Sequence, residues 1–163
     1  MLDKLVIRKA EEKDIKNILK IWNDCSSEGE SFYWNFDFSE KMITSILKEQ
    51  EYVCVAQIDD KVIGFYILHK NNSGRGSHIA NALYAVDKKY RSNGIGKILG
   101  IDSLEKAKHL GYRGFIFNSV VKTNEKSVKL WKRLGFKIIG EIPNAFQTNN
   151  NTYESVLIMY QDL

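Results

Sequence analysis

The stretch that most constrains this chain runs from Ile79 to Lys97, where a strand pattern breaks into a basic, glycine-bearing turn and a helix begins. Ile79 to Val86 is small, β-branched and aromatic and reads as a strand, whereas residues 97–110 place Ile98, Leu99, Ile101, Leu104, Ala107 and Leu110 mostly at helical spacing. Between them lies Arg91-Ser92-Asn93-Gly94-Ile95-Gly96. Gly94 and Gly96 lack the Cβ that would block a close ligand and permit backbone angles barred to other residues, so successive N–H groups can converge on one point. Unpaired amides at a helix N-terminus, with charge added by Arg91 and Lys97, suit a phosphate or pyrophosphate. Two familiar phosphate loops do not fit. A P-loop needs a hydroxyl where Ile98 stands; a dinucleotide turn needs a glycine where Leu99 stands and an acid where the next strand ends near Asn118.

The remaining elements arrange themselves around this turn. Residues 5–8 read as a strand, followed by a helix with Ile15, Ile18, Leu19 and Trp22 on one face, after which the order breaks between Ile21 and Ser39. Ser39 caps a second helix that turns Ile43, Ile46 and Leu47 inward. Residues 52–57 and 62–68 are strands joined by a hairpin-like connection, and Asn71 to Gly76 is a polar loop before the Ile79 strand. Gly111 suits a helix C-cap, Gly114 to Val121 is a strand, and a helix over 124–134 ends at Gly135. Strands over 136–139 and 153–160 close the chain, separated by its only proline, Pro143, and an Asn149-Asn150-Asn151 turn. The result is a mixed α/β sheet with helices on both faces, in one domain.

Charge and cysteine usage narrow the function. The net charge of +4 comes from 24 basic and 20 acidic residues that are interspersed. That balance suits an anionic cofactor and gives no concentrated basic face for nucleic acid. Cys25 and Cys54 have neither metal-type spacing nor a secretory leader, and no apolar run reaches membrane-spanning length. A cytoplasmic protein with reduced thiols, no metal and no membrane partner is expected. His69, His78 and His109 read as surface or structural residues.

Two features carry further chemistry. Asn is depleted from strand interiors, yet Asn81 and Asn118 occupy the strands flanking the glycine-turn helix, where α/β sheets open a crevice at strand ends. Each amide offers donor and acceptor to orient a substrate or thioester, or else is a satisfied buried group or a bulge. Ser31-Phe32-Tyr33-Trp34-Asn35-Phe36-Asp37-Phe38 is either packing between the first helices and the sheet or part of a pocket.

Arg91-x-x-Gly94-x-Gly96 resembles the acyl-coenzyme A pyrophosphate loop of the GCN5-related N-acetyltransferases (GNAT). Asn124, Ser127, Leu130-Trp131 and Gly135-Phe136 are similar to that family's second signature, an Asn, a small residue, Leu-Tyr and Gly-Phe. The resemblance covers essentially the whole chain. It implies one N-acetyltransferase domain over 1–163, with a mixed, mostly antiparallel sheet and a splayed central acyl-CoA cleft. It also implies direct acetyl transfer from acetyl-CoA to the primary or secondary amine of a small, amino-acid-like or other molecule. Phe117-Asn118, Thr123-Asn124 and Leu130-Trp131 resemble a branch that includes a yeast proline-analogue acetyltransferase. Alternatives are a protein or peptide N-acetyltransferase and an acetyl-CoA-binding module with little turnover.

The resemblance also implies roles for individual residues. Backbone groups of Tyr84, Ala85 and Val86 pair with the pantetheine arm and hold the thioester carbonyl, and Arg91, Ser92, Asn93, Gly94, Ile95 and Gly96 hold the pyrophosphate with Lys97 nearby. Asn124 hydrogen-bonds the pantetheine, and the small Ser127 leaves it room. Glu28, Glu30, Phe32, Tyr33 and Trp34 line the acceptor site. Trp131 departs from the pattern, because an indole N–H is too weak an acid to replace the usual Tyr hydroxyl. Tyr160 or water then becomes the candidate acid, and Glu28, Glu30 or His78 the candidate base through water. A homodimer through the final strands is a further expectation.

Overall fold

The computed structural model describes residues 2–163. In chain order the main elements are β1 (Leu5–Lys9), α1 (Ile15–Glu28), α2 (Glu40–Lys48), β2 (Tyr52–Ile58), β3 (Lys61–Lys70), β4 (Ile79–Val86), α3 (Ile95–His109), β5 (Gly114–Val121), α4 (Glu125–Arg133), β6 (Lys137–Gln147) and β7 (Tyr153–Asp162). The strands form one seven-stranded sheet in the order β1-β2-β3-β4-β5-β7-β6. Every neighbouring pair is antiparallel except β4 and β5, which are parallel.

Residues 62–68 of β3 are all buried, because both faces of the central sheet are covered. One face packs Tyr66, Leu68, Ala80 and Ala82 against Ile95 and Leu99 of α3 and Trp131 of α4. The other packs Val55, Phe65, Ile67 and Ala85 against Ile18, Trp22 and Cys25 of α1 and Ile43 of α2. Gly100 of α3 makes one of these contacts possible, since a Cβ there would lie 2.6 Å from Leu134 Cδ1 and 3.1 Å from Trp131 Cζ3.

Local chemistry sets the ends of the elements. The Ser39 hydroxyl accepts the Met42 N–H at 3.3 Å, as its cap role predicts. Asp59 and Asp60 both take positive φ, 46° and 63°, the geometry a two-residue hairpin between β2 and β3 demands. Two boundaries depart from the sequence reading. Instead of breaking near Ile21, α1 runs on to Glu28, because Cys25 and Ser26 continue its buried stripe and Gly29 caps it at φ 64°. Strand β6 extends through Pro143, which an edge strand tolerates where its register with β7 shifts between Ile142 and Phe146.

The start of α1 is pinned by a buried carboxylate. Asp14, 3% exposed, accepts from both Arg8 guanidinium NH groups at 2.7 and 2.8 Å and from the Glu11 N–H at 2.8 Å. Arg8 Nε also donates to Gln57 Oε1 at 2.9 Å, tying β1, β2 and α1 together. Burial alone pushes the Asp14 carboxyl up, but the Arg8 hydrogen bonds, the Glu11 N–H and the Arg8 charge bring it below its ordinary value. A carboxyl whose folded pKa is depressed stabilises the fold above the ordinary carboxylate range and loses that contribution as pH falls through it. Asp14→Asn should therefore cost about 2–3 kcal/mol at pH 7 in urea unfolding, by loss of charged hydrogen bonds in a buried pair. The gap from the unsubstituted protein should narrow below about pH 4; a pH-independent gap would contradict this clamp.

Candidate active site

β4 and β5 are hydrogen-bonded neighbours only at Ile79↔Gly114 and Ala80↔Phe115. Beyond Ala80 the strands part, leaving a fork in the sheet with backbone groups along both inner edges, as the sequence reading expects. Two features hold it open. Strand β5 shifts register against β7 between Phe117 and Val120, and Trp131 of α4 bridges the two strands, 4.7 Å from the Tyr84 ring and 4.5 Å from the Phe117 ring. Trp131 is buried, so the residue at the usual tyrosine position serves here as an aromatic tie between strands that share few hydrogen bonds. Tyr84 also reaches Ser103 Oγ at 2.6 Å, and burial pushes its phenol far up.

At the open end of the fork the chain turns into α3. Among the described residues, no acceptor pairs with the backbone N–H groups of Ser92, Asn93, Gly94, Ile95, Gly96 or Lys97; the first helical bond is Ile98 N–H to Gly94 O at 3.1 Å. Ser92 and Gly94 take positive φ, 65° and 81°, which rotates successive amides toward one side. A Cβ at Gly94 would meet nothing within 4 Å, so the left-handed backbone, rather than crowding by the protein, calls for glycine there. Asn93 braces the turn by donating to the carbonyls of Tyr90 and Arg91 at 3.2 and 3.1 Å. Lys97 is exposed on the first turn of α3. From α4, Lys126 reaches Ser92 Oγ at 3.4 Å, a basic partner for the turn that sequence reasoning missed.

Arg91 departs from expectation. Its Nε donates to Val86 O at 2.9 Å, one terminal nitrogen to Glu28 Oε2 at 2.7 Å and the other to Cys25 Sγ at 3.3 Å. The guanidinium is thus bound to protein rather than left to add charge beside the turn, and the Glu28 carboxylate is taken up by it rather than lining an acceptor pocket. Burial pushes the Cys25 thiol up to about 11 despite the neighbouring Arg91, so it is a neutral acceptor here.

On the α1–α2 face of the fork, the two strand asparagines meet. Asn71 Oδ1 accepts from Asn81 Nδ2 at 3.1 Å and from Asn118 Nδ2 at 2.7 Å, spanning β4 to β5 where they part. The Oδ1 atoms of Asn81 and Asn118 and Nδ2 of Asn71 have no intramolecular partner among the described residues. Asn71, at the end of β3, lay hidden in a polar loop. Its place follows from the β3–β4 register, in which His69 is opposite Asn81 and Asn71 lies two residues on, on the same face.

The aromatic segment divides its work. Phe32 is buried and Trp34 half-buried, packed with Trp22 and Phe38, so these rings are core rather than pocket wall. Tyr33 is 51% exposed and sets its ring edge-on to Phe146 of β6 at 5.3 Å. Asn149, in the β6–β7 turn, donates to the carbonyls of Ser27 and Glu28 at 3.0 and 3.2 Å. The α1–α2 loop and the β6–β7 tip therefore join at the end of α1, with Glu30 exposed in that loop.

Other expected residues take structural or remote places. Asn124 Oδ1 caps α4 by accepting the Ser127 N–H at 3.3 Å, and its Nδ2 has no partner among the described residues. The half-buried Ser127 stands in the first turn of α4. The Tyr160 hydroxyl donates to Asp162 at 2.9 Å and fills the space a Gly114 side chain would take, on the closed side of the fork. With His78 it lines a cavity of about 450 Å³ there, facing away from the turn, so the geometry supports neither as acid or base at the opening. Among the described residues there is no cluster of three or more His, Cys, Asp or Glu able to hold a metal, and no helix long and apolar enough to cross a membrane.

Comparison with known proteins agrees with this architecture. The acetyltransferase (GNAT) family profile matches residues 15–136. The N-acetyltransferase aca1 of Schizosaccharomyces pombe is 39% identical over 95 residues, 57% of this chain; those residues make up 46% of aca1, so the chain spans about half the length of this curated relative. The structure of a GCN5-related N-acetyltransferase from Kribbella flavida superposes with a TM-score of 0.94 at 31% identity, covering all of both chains. A phosphinothricin acetyltransferase from Sinorhizobium meliloti, solved in complex with acetyl-CoA, has a TM-score of 0.90 at 20% identity, covering 98% of this chain and 89% of that one, and shares the fold. With the profile spanning most of its length and a full-length relative at 31% identity, this chain belongs to the acetyltransferase (GNAT) family.

Proposed function

We propose that this chain acetylates the primary or secondary amine of a compact molecule held between the α1–α2 loop and the β6–β7 tip, using acetyl-CoA bound in the β4–β5 fork. The observation that carries this reading is the uncharged Asn71–Asn81–Asn118 cluster where the strands part. Its two unpartnered amide oxygens suit the N–H groups of an amine, and its free amide nitrogen suits a carbonyl or carboxylate beside that amine. The contact of Tyr33 with Phe146 supports a small acceptor, because it closes the α1–α2 loop onto β6.

Acetyl-CoA supplies the acetyl group as a thioester, whose thiolate needs little help to leave. The run of free N–H groups from Ser92 to Lys97 holds the pyrophosphate, with Lys126 and Lys97 balancing its charge and Asn124 Nδ2 reaching the pantetheine. The edge of β4 at Tyr84 and Ala85 receives the arm and orients the thioester carbonyl; Val86 O is already bonded to Arg91. His69 takes the amine proton. A carbonyl oxygen only accepts, so the 2.8 Å contact with Lys70 O puts the ring proton on Nδ1 and leaves Nε2 free beside Asn81. Attack by the neutral amine then forms the C–N bond, the C–S bond breaks, and the extra proton on the new amide nitrogen passes through water to the thiolate.

A cytoplasmic location accords with two buried free thiols. Pairing with a second copy along β6 belongs to the same reading, since this edge strand carries Ile138, Ile139 and Ile142 exposed.

Calorimetric titration should give acetyl-CoA binding that Gly94→Val weakens roughly tenfold, because a β-branched residue at positive φ costs about 1–3 kcal/mol; tight binding by this variant would move the pyrophosphate elsewhere. Thiol release should report turnover on some member of a panel of amino acids, polyamines and aminoglycosides. Turnover only on peptides would sink the small-acceptor reading. With the responsive amine, Asn118→Ala should raise the acceptor KM roughly tenfold while leaving acetyl-CoA affinity unchanged, in line with the loss of one or two substrate hydrogen bonds. His69→Gln should lower kcat by about 10²-fold, and added imidazole should restore part of it; an unaffected kcat would remove His69 from the mechanism.

A further inference from the structure

Arg91 opens the Arg-x-x-Gly-x-Gly run, and all its side-chain nitrogens are engaged within the fold: on the last carbonyl of β4, on Glu28 and on Cys25. The two helix contacts span 63 and 66 residues of sequence and land in the final turns of α1. The Glu28 side chain is 19% exposed and that of Arg91 34%, so the pair is partly shielded from solvent. Directly after Glu28 comes Gly29, at φ 64°, whose missing Cβ leaves room for the Asn149 side chain. That same amide holds the carbonyls of Ser27 and Glu28 from the β6–β7 turn. Three separate segments thus meet on the last turn of α1: the cofactor turn, the acceptor-side loop that begins at Gly29, and the β6–β7 tip.

We propose that Glu28 and Arg91 are positioning residues, a latch that fixes the amide run of the cofactor turn against the end of α1 and ties its placement to the acceptor walls. The proposal rests on acetyl-CoA binding at Ser92 to Lys97, and it reassigns Arg91 from phosphate ligand to brace. The alternative, that Arg91 swings out to meet the phosphates, predicts the opposite sign for one substitution. Coenzyme A is a polyanion. If Arg91 were a direct ligand, removing the Glu28 charge would free the guanidinium and relieve repulsion, so binding would tighten. If Glu28 holds the turn, the same substitution loosens the amide run and binding weakens.

The experiment is calorimetric titration with coenzyme A, without acceptor, on the unsubstituted protein, Glu28→Gln, Arg91→Met and the double variant, each checked for folding by circular dichroism. The latch predicts that Glu28→Gln and Arg91→Met each weaken binding roughly five- to tenfold, as for loss of a charge-assisted bond that orders a site. The double variant should be no weaker than the worse single one, because both break the same contact. In turnover, Glu28→Gln should raise the acetyl-CoA KM more than it lowers kcat. Glu28→Asp, which keeps the charge but shortens the arm, is the second variant and should weaken binding in the same direction. Tighter or unchanged binding by Glu28→Gln and Glu28→Asp, with Arg91→Met alone weakened, would overturn the latch and make Arg91 a phosphate ligand. Absence of coenzyme A binding by the unsubstituted protein would instead remove the cofactor reading on which it rests.

Discussion

The structure depends on the early end of the β4–β5 ladder. A sheet interior does not leave backbone N–H and C=O groups unpaired without cause, since each buried orphan costs about as much as a lost hydrogen bond. Here the ladder stops after Ala80↔Phe115, and the inner edges of both strands wait for a partner. The parting persists because other contacts hold each strand separately: β4 keeps its register with β3, and β5 keeps its pairing with β7 on either side of its bulge. Trp131 then ties the halves through Tyr84 and Phe117, replacing hydrogen bonds with aromatic contact. A fork maintained in this way offers backbone hydrogen-bonding partners suited to an extended arm with its own amide groups, such as pantetheine.

Electrostatics are distributed to match. The most buried ion pair among the described residues, Arg8 with Asp14, lies at the far end of α1 and serves assembly. At the near end, Arg91 and Glu28 neutralise one another, so positive potential at the turn comes from backbone amides, the α3 dipole and the lysines Lys97 and Lys126. Amides fixed at a helix start need no reorganisation when an anion arrives, whereas a free arginine would have to be ordered. The cluster where β4 and β5 part is uncharged: Asn71 joins Asn81 and Asn118 through side-chain amides, which present both donors and acceptors.

Much of this was legible in the chain. The glycine-bearing turn, the helix after it and the strands on either side all followed from apolar spacing and from glycine's access to positive φ. Asn81 and Asn118 stood out because Asn fits poorly in a strand interior, and the structure joins them. Less legible were the last two turns of α1, where polar Asn23, Asp24 and Ser27 conceal a stripe completed by Cys25 and Ser26. β6 was equally obscure: an edge strand tolerates both exposure and Pro143, so its pattern does not alternate.

Sequence alone determined most of the elements, the glycine-bearing turn and the family, because each rests on local propensity or on residue spacing within a few turns of chain. Tertiary structure decided the partners of the long polar side chains. Arg91 could have faced a phosphate or the body of the protein, and nothing within six residues of it indicates Glu28, which is 63 residues away. Tyr160 offered an acidic hydroxyl by composition, yet the direction of β7 aims it at Asp162 on the closed side of the fork. Asn71 became part of the asparagine cluster only because the β3–β4 register and the bulge in β5 brought three chain segments within hydrogen-bonding distance. Such convergence depends on the relative placement of strands, which short-range patterning does not encode.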